Sequence, residues 1–360
     1  RMYLGPYMDL FMARRDRLAP QIGMNASGSE LHERLLRMFE MIEGKVGNIH
    51  AFLVEKGWID KDYDKYDKRL LVIAFSTYVV WLLVQATPFY QQPCNRVELL
   101  RVRSLLQSRQ QYVVIIGNDV FLMDTGAPSG SWGTTWWNCI DESLLEIVQF
   151  YFLIHYNQCS GQPTFCNFVM KWKQPFPFFD HVALVDYGDD NLVYVSRSVR
   201  GAFTHEAIMA FAKFICMGIT PAKKTETTIT FKVVTDVLFL KRTPTWDPRI
   251  QRLVGRLEYK SIGKMLAFTN SRDPSWERMV LMQATREMAS YPFEHFEQFK
   301  HIFGVVANQN DVIDLVMNTK SWSEDLGNDV IYLTTLPAVP GLSNLTVNYN
   351  YYEDQLAGLV

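Results

Sequence analysis

Cysteine is scarce, with five in 360 residues: Cys94, Cys139, Cys159, Cys166 and Cys216. The number is odd and no pair has CxxC spacing. That excludes a disulfide framework and a zinc site, and it points to free thiols in a reducing compartment. An excess of either charge is also missing. There are 36 Lys and Arg against 38 Asp and Glu, for a net charge of −2 and a pI of about 6.4. Dedicated nucleic-acid-binding domains are usually basic, so global charge gives no support for one, although it leaves room for a local basic groove. No segment reads as a membrane span. One apolar run, 70–84 (LLVIAFSTYVVWLLV), has 15 residues against the ~20 needed to cross a bilayer, and it is expected to be a buried helix. The sequons at Asn25 and Asn344 then have no consequence. The opening stretch RMYLGPYMDLFMARRDR lacks the apolar core and small-residue cleavage site of a signal peptide. No internal repeat or low-complexity segment is found. The first residue is Arg1, not Met, so a piece of something larger is expected.

What is present is the profile of a globular chain: 48% hydrophobic, 21% charged, and 14% aromatic residues. The length suits two or three domains or lobes. Apolar residues at 3–4 spacing predict helices over 29–56, 68–86 and 95–109. Residues 110–123 read as strand, turn and strand, and 134–155 as a long helix behind a Gly/Ser/Pro loop. Short strands are expected at 181–186, 191–196, 228–234 and 236–240, a helix at 204–216, and a break at 218–221. From Asp247 onward the pattern is mainly helical. Such an order predicts an α+β core, an antiparallel sheet backed by helices, followed by a mostly helical lobe.

Three clusters carry chemistry. The sharpest is Val185-Asp-Tyr-Gly-Asp-Asp-Asn191, a Gly-Asp pair between two apolar runs, which signals a hairpin. Adjacent carboxylates at a tight tip repel unless a cation sits with them. A divalent metal is one solution and a solvated acidic turn is the other. The second cluster runs from Asp60 to Asp67. If it starts on a strand end and turns into a helix, Asp62 sits at the strand tip and Asp67 at the helix N-terminus, where a carboxylate can also cap. The third is the small-residue loop from Pro128 to Gly133, followed by a helix that presents Thr134 and Asn138 on one face. Hydroxyl and amide groups placed together suit a sugar hydroxyl. An ordinary glycine-rich loop with a capped helix is the alternative. The aromatic pairs Trp136-Trp137 and Phe178-Phe179 are expected in the core.

Together and in this order, these elements resemble the palm of a viral RNA-dependent RNA polymerase of the picornavirus-like positive-strand group. Asp62-Tyr63-Asp64-Lys65-Tyr66-Asp67 is similar to the family's motif A, and Ser129-Gly130 through Thr134 to Asn138 is similar to motif B. Tyr187-Gly188-Asp189-Asp190 is the YGDD of motif C. Gly218 to Lys224 resembles motif D, and Phe239-Leu240-Lys241-Arg242 the primer-gripping motif E. The family's basic motif F is not found upstream. Asp64, Trp132 and Cys139 stand where the family usually has other residues.

The resemblance implies a right-hand fold with an antiparallel palm sheet backed by helices, partial fingers and a mainly helical thumb. Residues 1–20 would be a fingers remnant, 21–103 the first part of the palm and 104–127 a fingers insertion. Residues 128–246 would be the rest of the palm and 247–360 the thumb. It also implies template-directed RNA synthesis through two Mg²⁺ ions, with Mn²⁺ able to substitute. Asp62, Asp189 and Asp190 would hold the metals, and Lys224 would be the general acid. Asp67, Ser129, Gly130, Thr134 and Asn138 would bind the nucleotide and read its 2′-hydroxyl. Lys241 and Arg242 would hold primer or RNA. Arg252, Arg256, Lys260 and Lys264 would form a basic helical stripe if that stretch is helical. Partners would be an RNA template and primer, ribonucleoside triphosphates and other viral replication proteins. The place would be the host cytoplasm, at membrane-associated replication complexes. Two alternatives remain: a non-catalytic fragment that binds RNA or a partner, and a reverse-transcriptase-like palm nucleotidyltransferase. Asn138 speaks against the latter, which usually places a bulky residue there to exclude the 2′-hydroxyl.

Overall fold

The computed structural model describes residues 19–64, 73–110, 112–116, 118–123, 134–158, 177–267, 274–318 and 330–333. The chain divides into two compact units. One comprises residues 1–23 and 38–233, the other 24–37 and 234–360.

The elements of the first part of the chain are α1 (Ser29–Glu43), α2 (Ile49–Val54), β1 (Trp58–Asp64), α3 (Ile73–Ala86), α4 (Arg96–Gln110), β2 (Tyr112–Ile116), β3 (Asp119–Met123) and α5 (Thr134–Gln158). They are followed by β4 (Val182–Tyr187), β5 (Asp190–Val195), α6 (His205–Phe214) and β6 (Gly218–Pro221). The expected helix over 29–56 is interrupted. Gly44 ends α1 with φ +85°, and Asn48 restarts the chain by accepting the His50 N–H on its side chain.

The centre of the first unit is a four-stranded antiparallel sheet in the order β4-β5-β1-β6. Residues 218–221 were expected as a break, yet they form its edge strand. Gly218 is what lets β6 approach: a Cβ there would lie 2.9 Å from the Asp64 Cβ. One sheet face meets α5 and α6 through Ile59, Tyr63, Val193, Val195, Phe150 and Phe211. The other face holds the cross-strand pair Trp58 and Tyr194, ring centroids 4.9 Å apart, with Phe39 and Phe52 beside them. Each such aromatic burial contributes roughly 1.5–3 kcal/mol. The Tyr194 hydroxyl donates to Glu43 at 2.9 Å, which satisfies its polar end.

The apolar run 70–84 falls in α3 from residue 73 on, and it is buried on one side only: Val80 and Val84 pack with Val102, Leu106, Trp136 and Trp137, whereas Tyr78, Leu82 and Leu83 are exposed. Among the described residues, no helix is long and apolar enough to cross a membrane. Trp136 and Trp137 are core residues, as expected. Of the other pair Phe178 is buried, whereas Phe179 is 64% exposed, because a single-turn helix (Phe178–His181) can bury only one of two successive rings.

The second unit contains a hairpin of β7 (Arg242–Asp247) and β8 (Arg252–Leu257), then α7 (Tyr259–Ala267), α8 (Pro274–Met288), α9 (Phe293–Phe303) and α10 (Gln309–Asn318). The two-residue strands β9 (Val305–Val306) and β10 (Tyr332–Leu333) pair with each other. Two expectations are corrected here. Residues 228–234 and 236–240 form no strands; a 3₁₀ turn at Val234–Asp236 occupies their middle. The basic stripe is not helical, since Arg252 and Arg256 lie on β8 and Lys260 and Lys264 on α7. The four-residue recurrence was a coincidence of a strand running into a helix. Arg256 is turned inward, over the Tyr291 ring and donating to the Ser290 carbonyl at 2.8 Å.

His32 is buried in this unit and its Nδ1 accepts the Leu253 N–H at 3.2 Å. Burial, with the Arg252 charge second, holds its pKa down to about 4. The unfolded ring titrates near ~6.5. The unfolded state therefore binds the extra proton first as pH falls. The contribution of the neutral ring is complete above about pH 6.5 and is lost towards pH 4, by about 2–3 kcal/mol. Urea denaturation at pH 7 and pH 4.5 should show that loss, and His32→Gln should flatten that part of the profile.

Candidate active site

The hairpin of β4 and β5 closes on Gly188 and Asp189, between the paired residues Tyr187 and Asp190. Gly188 has φ +71°, a conformation that a two-residue hairpin loop reserves for glycine. Its N–H is directed at the Cys139 sulfur on α5, 3.2 Å away. Burial pushes the Cys139 thiol well up, so it stays protonated. Both Asp189 and Asp190 are exposed at the tip.

β1 runs beside β5 with Trp58 opposite Tyr194, Asp60 opposite Leu192 and Lys61 opposite Asn191. One further step along this register carries Asp62 alongside Asp190, on the same sheet face. On its other side Asp62 pairs with Thr220 of β6. Acids 127 positions apart in sequence thus reach the same end of one sheet.

A cation already sits at this end. The Lys224 ammonium lies 2.5 Å from Asp62 Oδ2 and 3.2 Å from the Thr220 hydroxyl. Its loop is fixed from below. Buried Lys232 bridges Asp60 Oδ1 at 2.6 Å and Glu226 Oε2 at 2.5 Å. Asp60 and Asp62 alternate onto one face of β1, and each meets one lysine from the segment after β6.

Thr134 and Asn138 occupy the first turns of α5, half-buried and four residues apart. Asp67, Ser129 and Gly130 lie outside the described residues. In the second unit, Lys241 is exposed at a two-residue turn, where Leu240 and Lys241 have φ of 55° and 57° and Phe239 pairs with Arg242. Two non-glycine residues in the left-handed region store strain. Arg242 does not project from this turn. Its guanidinium makes a bidentate pair with Glu287, at 2.6 and 2.8 Å, and donates to the Gly255 carbonyl.

Among the described residues, no group of three or more His, Cys, Asp or Glu side chains is placed to hold a metal ion by itself. A half-buried carboxylate at a strand end and two exposed ones at a hairpin tip nonetheless suit Mg²⁺. That ion takes one or two carboxylates and completes its octahedron with water and phosphate oxygens.

The sequence matches the family described as viral RNA-dependent RNA polymerase over residues 1–301. The chain belongs to this family. Members of the family use divalent metal ions. Among relatives of this chain, the replicase polyprotein of Drosophila C virus (strain EB) is 25% identical over 307 residues. That covers 83% of this chain and 16% of the polyprotein. The replicase polyprotein of Acute bee paralysis virus (strain Rothamsted) is 33% identical over 174 residues, 46% of this chain and 8% of that one. The chain therefore spans a small part of the polyproteins it matches. A solved structure described as the sicinivirus 3Dpol RNA-dependent RNA polymerase superposes with a TM-score of 0.57 at 15% identity, over 99% of this chain and 60% of that one. The fold is that of a right-hand polymerase, with an antiparallel sheet backed by helices.

Residues that sequence reading passed over lie beneath the carboxylates. Lys61, Glu146 and Asn191 are each at most 3% exposed, and Glu142 is fully buried. Their signal was available: Glu142 and Glu146 are spaced four apart in a long helix rich in apolar residues, and buried acids need partners.

Proposed function

We propose that this polymerase chain performs template-directed RNA synthesis from ribonucleoside triphosphates, replicating a viral RNA genome. One observation carries the reading: Asp62 and the hairpin acids Asp189 and Asp190 share one end of the sheet, and Lys224 is held on Asp62. Asp62 and Asp189 are the principal ligands for two Mg²⁺ ions, or Mn²⁺ in their place, and Asp190 is the secondary one. When bound, such ions lower the pKa of the primer 3′-hydroxyl and neutralise charge on the triphosphate. Lys224 protonates the departing pyrophosphate. Asp67 and Asn138 hydrogen-bond the ribose 2′-hydroxyl, supported by Ser129, Gly130 and Thr134. Lys241 contacts primer phosphate, while Arg242 holds the hairpin that presents it.

The domain reading follows the same family: fingers in 1–20 and 104–127, palm in 21–103 and 128–246, thumb in 247–360. RNA template and primer are the partners, together with other viral replication proteins at membrane-associated complexes in the host cytoplasm. Primer extension with Mg²⁺ on a primed RNA template, run on this chain and on a longer one, tests the reading. Extension by either is expected, and failure of both overturns it in favour of a non-catalytic binding module.

Ribose recognition gives a separate prediction. Asn138→Ala removes an amide from a site built around a hydroxyl. Such sites reject analogues that leave their own groups unpaired. Preference for ribo- over deoxynucleotides should fall by about tenfold or more, from the ~1–3 kcal/mol of one unmade hydrogen bond, and more than the overall rate does. Competing ribo- and deoxynucleotides in one extension reaction reads the ratio, and an unchanged ratio removes Asn138 from the site.

A further inference from the structure

The row of the sheet next to the carboxylates is polar where a core is expected. Asp186 on β4 pairs with Asn191 on β5, and Asn191 with Lys61 on β1. These three lie in register across adjacent strands and face α5. The adjoining row, one residue further towards the hairpin tip, is Tyr187, Asp190 and Asp62. All three inward residues are bound by one face of one helix. The Ser143 hydroxyl donates to Asp186 Oδ2 at 2.7 Å. The Asn191 amide donates to Glu142 Oε1 and reaches Glu146 Oε1 at 3.4 Å. The Lys61 ammonium donates to Glu146 and Gln149, and the Tyr63 hydroxyl to Glu146 at 3.1 Å.

On the helix, Thr134, Asn138, Glu142 and Glu146 follow one another at four-residue spacing, so they share a face. The two residues assigned to the ribose therefore continue the stripe that is bolted to β1 and β5. A buried ion pair is a poor source of stability, since well-packed apolar side chains in its place are often neutral or stabilising. What it does supply is a fixed register between two elements. Apolar packing would let α5 slide along or rotate on the sheet. A charged pair with three further hydrogen-bonding groups, Tyr63, Gln149 and Asn191, converging on it permits one position.

We infer that Glu146 and Lys61, with Asn191, form a positioning network that sets the ribose-reading end of α5 against the metal-binding carboxylates. The inference rests on the function proposed above and adds residues that never touch the nucleotide. Glu142 has a lesser part. Burial, and Glu146 beside it, push its carboxyl well up, so it acts as a neutral acid that a glutamine can replace.

Three variants test the network. Lys61→Met with Glu146→Leu removes the pair without leaving a lone charge. Glu146→Asp keeps the charge and draws it back by one methylene. Glu142→Gln is the control. Two ratios are measured on each: equilibrium binding of GTP against 2′-deoxy-GTP, followed by tryptophan fluorescence, and ribo- against deoxynucleotide extension. A misplacement of about 1 Å can cost on the order of 10²-fold. The double variant and Glu146→Asp are therefore expected to lose about 10- to 100-fold of ribose preference while remaining folded, and Glu142→Gln to keep it. A shifted melting temperature with both ratios intact would make the network merely structural and overturn the inference. Should the double variant fail to fold, Glu146→Asp decides alone. If the parent chain prefers GTP but does not extend, the proposed function fails while the binding ratio still judges the network. If the parent shows no ribose preference in either measurement, the network has nothing to position and the inference falls.

Discussion

Asp189→Asn is expected to reduce primer extension by about 10³-fold or more while leaving the fold intact. Asp189 is exposed in a turn whose shape is set by the glycine before it, and asparagine is at home in such turns. No packing is lost, and one of two adjacent negative charges is removed, so stability should move by less than ~0.5 kcal/mol. The amide keeps the shape of the carboxylate but neither its charge nor its strength as a metal donor. The defect should therefore deepen at low Mg²⁺ and ease partly at high Mg²⁺. The same exchange at Asp119, exposed at the start of β3, should do nothing. Near-normal extension by the Asp189 variant, with its thermal transition unchanged, would remove the hairpin tip from the chemistry.

The parts of this molecule that sequence made legible are those governed by local rules. The β4–β5 hairpin was visible because Gly188 and Asp189 interrupt two apolar runs, and the observed strands differ from the expected ones by one residue. α5 was visible as a long apolar stretch behind a small-residue loop, and α4 lies within one residue of its expected bounds. Asp62 could be placed at a strand end, although its neighbours there could not be named, because strand pairing is set by contacts far apart in sequence.

The misreadings share a physical cause. β6 is four residues with a glycine at one end and a proline at the other, which reads as a break. It becomes a strand only because β1 offers an unpaired edge and Gly218 lets it close in. The β7–β8 hairpin was hidden because Arg252, Arg256, Lys260 and Lys264 have helical spacing, and because its turn uses Gln251 at φ 52° in place of a glycine. The polar row under the candidate site was hidden for the opposite reason. Lys61 sits between two aspartates and looks solvated, and only the third dimension shows it facing Glu146 in the core.

Lys224→Met is expected to lower the rate of nucleotide addition by about 10²–10⁴-fold, the range of a positioned proton donor. Its effect must be told apart from the loss of a metal ligand. The Lys224 ammonium lies against Asp62, where it is 69% exposed. An exposed pair of this kind adds little to stability, so the fold should be unaffected. Taking the ammonium away leaves Asp62 at least as free to bind a divalent ion. The Mg²⁺ concentration needed for half-maximal rate should therefore stay the same or fall, whereas in the Asp189 variant it should rise. Lys224→Arg separates charge from proton transfer. Arginine keeps the charge but cannot give up a proton near neutral pH. Recovery of the rate by arginine would show that Lys224 acts only as a counter-ion for Asp62 and the phosphates. Arginine as slow as methionine, with the Mg²⁺ requirement unchanged in both, would leave proton delivery to the pyrophosphate as the role that Lys232, Asp60 and Glu226 hold this lysine in place to perform.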